Sequence, residues 1–296
     1  MTPTLRSGTA AAVMSSKGGV GKSTISLGLA ETIVCETPLT VLLIDADPQG
    51  SLTAMMDLEN DTPRTDRITL VSLLSAALNP SEAAAMEYLI ASVVGAGGSD
   101  IDDAGRLDIL PVGTGLIELE RQLTRSGRDA DLLRAVRHLL DALRKTYDLI
   151  LVDCSPGLYL STESWLQACD YQLAPIKADK ISLSALGLVL DFRRACPGGT
   201  VSSWLGIVVN SYQGNDAANA ILGKLQTFTD LKMFSTIVPA TLALQRLAIH
   251  HGDRRSYHAK YPGASGQALR QLSKEFLARM TARSASALTM TRVSQA

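Results

Sequence analysis

Apolar runs of six to eight residues punctuate the chain. The runs at residues 10–16, 40–47, 107–112, 148–154, 171–178, 205–212 and 234–239 are rich in Val, Ile and Leu without strict alternation, as strands covered on both faces should be. Between them lie stretches of helical periodicity, including 22–35, 129–146, 181–195, 215–228 and 241–249. Strand–helix alternation of this kind builds βαβ units. The expected fold is therefore α/β: a doubly wound, mostly parallel sheet with helices on both faces. No internal repeat is present.

Two segments break the rhythm. Residues 57–106 contain helical patches, "LVSLLSAAL" and "EAAAMEYLIASVV", and a polar stretch, "GAGGSDIDDAG", that reads as an exposed loop. Residues 252–266 read as a second loop, before a last amphipathic helix whose Leu269, Leu272, Phe276 and Met280 share one face. Beyond Arg283 the chain is rich in Ser, Ala and Thr, so residues 284–296 are expected to be a disordered tail.

Composition narrows the setting. With 46% hydrophobic and 19% charged residues in 296, the chain can bury a sizeable core. No apolar run approaches the ~20 residues needed to span a bilayer. The four cysteines are scattered, without a C-x-x-C pair, and the N-terminus lacks a secretory layout. These features point to the cytoplasm. Net charge is −1 but unevenly spread. From Arg246 onward nine Lys/Arg face only Asp253 and Glu275, a balance of +7 that leaves −8 on residues 1–245. Two readings stand: an acidic partner for the C-terminal segment, or a solvated helix face with a loose tail. His250, His251 and His258 fall in the same region without metal-ligand spacing, and read as solvated or phosphate-facing.

The chemistry concentrates in "SSKGGVGKST", residues 15–24. Gly21-Lys22-Ser23 completes the second half of a phosphate-binding loop, G-x-x-x-x-G-K-[ST], but Ser16 stands where the first glycine belongs and Lys17 adds a second cation. The loop (Lys17, Gly18, Gly19, Val20, Gly21, Lys22, Ser23, Thr24) follows an expected strand and opens an expected helix. Gly18, Gly19 and Gly21 let backbone N–H groups turn toward a polyphosphate, and the helix directs its positive end at the same anion. Lys22 would hold the β- and γ-phosphates and Ser23 a Mg²⁺ ion. "LILVDCSP" ends a strand in Asp153, a position suited to hold Mg²⁺, and "LLIDADPQG" ends another in Asp45 and Asp47. Carboxylates at the ends of parallel strands face the crevice where ligands bind.

"KGGVGKST", "LLIDADPQG", "LILVDCSP" and "IVVNS" together resemble the deviant Walker motifs of the ParA/MinD family of P-loop ATPases, closest to its short ParA (Soj-like) members, over about residues 10–280. The resemblance implies one ATPase domain over residues 1–283, with ATP and Mg²⁺ as cofactors and weak intrinsic hydrolysis. It implies that Lys17 reaches the nucleotide of a second subunit in an ATP-bound homodimer. It further implies that Asp47 positions the attacking water, that Asp45 supports Mg²⁺ and the switch, that Asn210 reads the adenine edge and that Pro239 closes the base pocket.

Relatives of this kind differ in what they bind. ParA-like members grip DNA non-specifically as ATP dimers, and a ParB-like or cargo-adaptor protein triggers hydrolysis and release. MinD-like members lie on the membrane through a C-terminal amphipathic helix, which "SASALTMTRVSQA" does not resemble. The arginines that ParA proteins place after the last strand's proline and after the adenine-reading asparagine are replaced by Ala240, Ala243 and the neutral "SYQGNDAAN". A relocated DNA patch would fall on Arg246, Arg254, Arg255, Arg270 and Lys274. The alternative is a positioning or scaffold ATPase whose main partner is a protein.

Overall fold

The computed structural model describes residues 5–58, 68–79, 104–196, 200–247 and 256–293, with side chains described to residue 283. The elements run β1 (Thr9–Val13), α1 (Lys22–Glu36), β2 (Thr40–Ala46), α2 (Ser51–Met55), α3 (Leu70–Leu78), β3 (Arg106–Leu110), α4 (Leu116–Arg125) and α5 (Asp129–Leu143). They continue with β4 (Leu149–Cys154), α6 (Leu160–Ala168), β5 (Tyr171–Ile176), α7 (Lys180–Ala195), β6 (Ser203–Val209), α8 (Asp216–Thr227), α9 (Leu242–Leu247), α10 (Tyr257–Lys260) and α11 (Ala264–Val293). The helical patch "EAAAMEYLIASVV", most of the "GAGGSDIDDAG" loop, and His250, His251, Arg254 and Arg255 lie outside the described residues.

The six strands form one parallel sheet in the order β3-β2-β4-β1-β5-β6. β1 sits inside it, and the chain passes from one side of β1 to the other between β4 and β5. The loop after β1 thus opens at the carboxyl edge, where such sheets bind ligands. The missing alternation in the strands has a plain cause. Within β1, Ala10 and Ala12 face one core while Ala11 faces the other; Leu42 and Ile44 of β2 oppose Val41 and Leu43 in the same way. One core packs α3, α5 and α6 on the sheet, and the other packs α1 and α11. The expected face of the last helix is confirmed: Leu269, Leu272, Phe276 and Met280 are all fully buried.

Three expectations need correction. Residues 234–239 do not form a seventh strand; they reach the sheet only through Phe234 N to Ile207 O (2.8 Å), Val238 N to Val209 O (2.9 Å) and an isolated bridge between Tyr212 and Pro239. Two of the N–H groups between those points are taken by the Glu275 carboxylate, which accepts from Ser235 and Thr236 at 3.0 and 3.1 Å. Part of the expected loop 252–266 is ordered as α10 and the start of α11, because Tyr257, Lys260 and Tyr261 are buried against α1. The backbone of α11 continues as helix to Val293, across a stretch expected to be a loose tail.

Candidate phosphate site

The loop after β1 turns on two glycines with positive φ, Gly19 at 73° and Gly21 at 87°, a region other residues enter only with strain. Gly21 is constrained twice, since an added Cβ would stand 2.2 Å from the Asn210 side-chain nitrogen. At Gly18 and Gly19 an added Cβ would meet nothing within 4 Å, so the outer rim is open. Lys22 begins α1 and is buried. Lys22, Ser23 and Thr24 therefore occupy the positive end of a fifteen-residue helix, where backbone N–H groups lack partners within the helix.

Pairing of β1, β4 and β2 sets Val13, Asp153 and Asp45 level with one another across three adjacent strands. Asp153 is fully buried. Its Oδ1 accepts the Ser26 hydroxyl at 3.0 Å, while its Oδ2 has no hydrogen-bond partner. Burial pushes its carboxyl up to about 7, against the pull of the Lys22 ammonium. A buried carboxylate oxygen without a partner is costly. A hard divalent cation such as magnesium would satisfy that oxygen, and the Ser23 hydroxyl beside it is a further oxygen donor.

Asp45 is also fully buried, and burial raises its carboxyl to about 6. Its Oδ2 accepts both the backbone N–H and the hydroxyl of Thr53 at 2.7 Å, and its Oδ1 accepts the Asp47 N–H at 3.1 Å. Asp47 is nearly buried and accepts the Gln49 N–H at 3.0 Å, starting the turn into α2. A cleft of about 830 Å³ opens behind this turn, lined by Gln49, Gly50, Thr53, Val112 and Arg121 among others. Its lining excludes the phosphate loop, but the segment carrying Asp47 forms one of its walls.

The remaining expected residues are placed as follows. Asn210 ends β6 and donates from its amide to Val20 O at 2.8 Å, so its donor now steadies the loop. Pro239 is brought alongside Tyr212 by the isolated bridge, two residues past Asn210. Lys17 lies at the rim against Asp179. Arg246 and Lys274 are exposed and Arg270 is half-buried. Two other cations of the basic segment are spent internally. Lys260 is buried on Glu31 at 2.6 Å, and Arg279 binds Glu275 and the carbonyls of Leu205, Lys232 and Met233. Sequence reasoning missed Ser26, Thr53 and Asp179. Only Asp179 had a local signal, as an acid three residues before Ser182 at a helix start.

A glycine loop between a central parallel strand and a helix, faced by buried carboxylates at the ends of the neighbouring strands, defines a P-loop nucleotide-binding protein. The family model of the AAA domain matches residues 8–195, and the chain belongs to that family, as a P-loop ATPase of the ParA/MinD kind. It is 26% identical to the chromosome-partitioning ATPase Soj of Treponema pallidum over 266 residues, 89% of this chain and 94% of that protein. It is also 26% identical to the chromosome-partitioning protein ParA of Caulobacter vibrioides, covering 93% of this chain and 96% of the relative. Among solved structures, a putative plasmid partition protein of Borrelia burgdorferi bound to AMPPNP superposes with a TM-score of 0.69 at 19% identity, over 92% of this chain and 99% of the other.

Proposed function

We propose that this chain is an ATP-driven dimerisation switch for DNA segregation or cargo positioning. ATP would sit on residues 17–24 with magnesium held by Ser23, Asp45 and Asp153. Lys22 would bind the β- and γ-phosphates, Lys17 the triphosphate of a second copy, and Asp47 would orient the attacking water. When bound, magnesium would neutralise charge on the β- and γ-phosphate oxygens. Asn210 and Pro239 would hold the base. The observation that carries this reading is the partnerless, buried Oδ2 of Asp153, level with Asp45 and beside the first turn of α1. Sequence similarity to chromosome-partitioning proteins supports the biological role.

In this reading residues 1–283 act as one ATPase domain with weak intrinsic turnover, working in the cytoplasm. Among the described residues no helix is long and apolar enough to cross a membrane. The ATP dimer would bind double-stranded DNA without sequence preference through Arg246, Arg254, Arg255, Arg270 and Lys274, on the nucleoid, until a ParB-like or cargo-adaptor protein stimulates hydrolysis. A second reading, with a protein as the main partner, draws support from the internal use of Lys260 and Arg279, which lowers the basic segment's free charge below its sequence count. The two separate by experiment. DNA affinity of the ATP-bound form should fall linearly in a log–log salt plot, by roughly 0.9 in slope per phosphate neutralised, and Arg254→Ala with Arg255→Ala should flatten it on all sequences alike. No DNA binding by the wild-type ATP form at low salt would leave the protein-partner reading.

A further inference from the structure

Lys17 is already engaged inside the monomer. Its Nζ stands 3.0 and 3.2 Å from the two carboxylate oxygens of Asp179 and 3.4 Å from the Ser182 hydroxyl. Asp179 is itself fixed: it caps the N-terminus of α7 by accepting the Ser182 N–H at 2.7 Å. Partial burial opposes ionisation, but hydrogen bonds from Ser182 and Lys17 hold the Asp179 carboxyl below the usual carboxylate range. The neighbouring Ser16 hydroxyl donates to the Ala185 carbonyl of the same helix. The rim of the phosphate loop is thus tied along the first two turns of α7.

We propose that Asp179 is a latch in cis: it holds Lys17 in the monomer, and dimerisation transfers that lysine to the triphosphate bound by a second copy. The inference rests on the reading of Lys17 as the cross-subunit lysine. Both side chains remain partly exposed, at 27% and 39%, so the pair is accessible and of modest strength. Coulombic attraction to the ammonium grows with the ligand's charge, so a triphosphate, with its terminal group at the interface, draws Lys17 from the singly charged Asp179 more strongly than a diphosphate does. The latch therefore raises the threshold for closure and helps the switch distinguish ATP from ADP. Two latches open for each dimer formed.

Asp179→Asn removes the charge and keeps an effective helix cap. With a slowly hydrolysed ATP analogue, light scattering should show the dimer dissociation constant falling by about twofold to twenty-fivefold, from two surface pairs each worth a factor of about 1.4 to 5. Nucleotide affinity measured below the dimerising concentration should stay within about twofold of wild type, which separates release of Lys17 from a general loss of negative charge. Asp179→Ser, which also caps, repeats the test if the asparagine variant is poorly folded. Unchanged or weakened dimerisation of the variants, while the wild type dimerises and Lys17→Ala does not, would overturn the latch alone. A wild type that stays monomeric with the analogue, or a Lys17→Ala protein that dimerises normally, would remove the cross-subunit reading and the latch with it.

Discussion

Replacing Lys260 with methionine should destabilise the protein by about 3–5 kcal/mol, the range seen when one partner of a buried ion pair is removed. Lys260 Nζ lies 2.6 Å from Glu31 Oε1, and the two side chains are only 2% and 1% exposed. The second Glu31 oxygen accepts the Tyr261 hydroxyl. Methionine nearly fills the volume of the lysine stem, so packing is largely kept and the cost comes from an unpaired carboxylate inside the core. Replacing both partners, Glu31→Leu with Lys260→Met, should restore most of the loss, since apolar substitutes for a buried pair are often neutral or stabilising. The cycle should therefore give a coupling of at least about 2 kcal/mol. Urea unfolding followed by circular dichroism measures it, with the denaturant slope checked for constancy across the four proteins. A single Lys260→Met protein losing less than about 1 kcal/mol would show that Glu31 finds water or another partner, and the burial argument would fail. The pair also has a functional bearing, because it ties α10 to the helix that starts at Lys22.

Two further outcomes are expected. Asp47→Ala should bind the slowly hydrolysed ATP analogue and dimerise as wild type, while single-turnover hydrolysis slows by on the order of a hundredfold, because orienting water is a transition-state role; near-normal turnover in a rapid-quench assay would assign that role elsewhere. Glu275→Gln should cost about 1–2 kcal/mol at pH 7, since the carboxylate accepts four hydrogen bonds from Ser235 and Thr236 and pairs with Arg279. Those bonds outweigh partial burial and hold its carboxyl below the ordinary 4.5, so its stabilisation is present above that value and is lost as pH falls through the depressed one. The gap between variant and wild type, read from thermal melts, should close in acid; a gap that persists there would point to packing.

What could be read from the sequence was whatever depends on neighbours along the chain. The loop 17–24 announced itself by glycine spacing between a strand and a helix, and Asp45, Asp47 and Asp153 by ending apolar runs. Their relation could not be read. Asp45 and Asp153 become level only because β4 inserts between β2 and β1, and strand order is a tertiary outcome. Ser26, Thr53 and Asp179 act across 127, 8 and 162 residues respectively, and a serine or threonine on a helix carries no mark of what its hydroxyl will meet. The run 234–239 has the composition of a strand, yet a glutamate about forty residues later takes the N–H groups that a ladder would need. The charge count fails for a related reason. It treats every lysine and arginine after residue 245 as available to a partner, whereas burial turns Lys260 toward Glu31 and carbonyl groups claim Arg279. Lys17 shows the same effect at the site itself: its spacing marks it as a surplus cation, and the fold supplies the acid, Asp179, that occupies it within the chain.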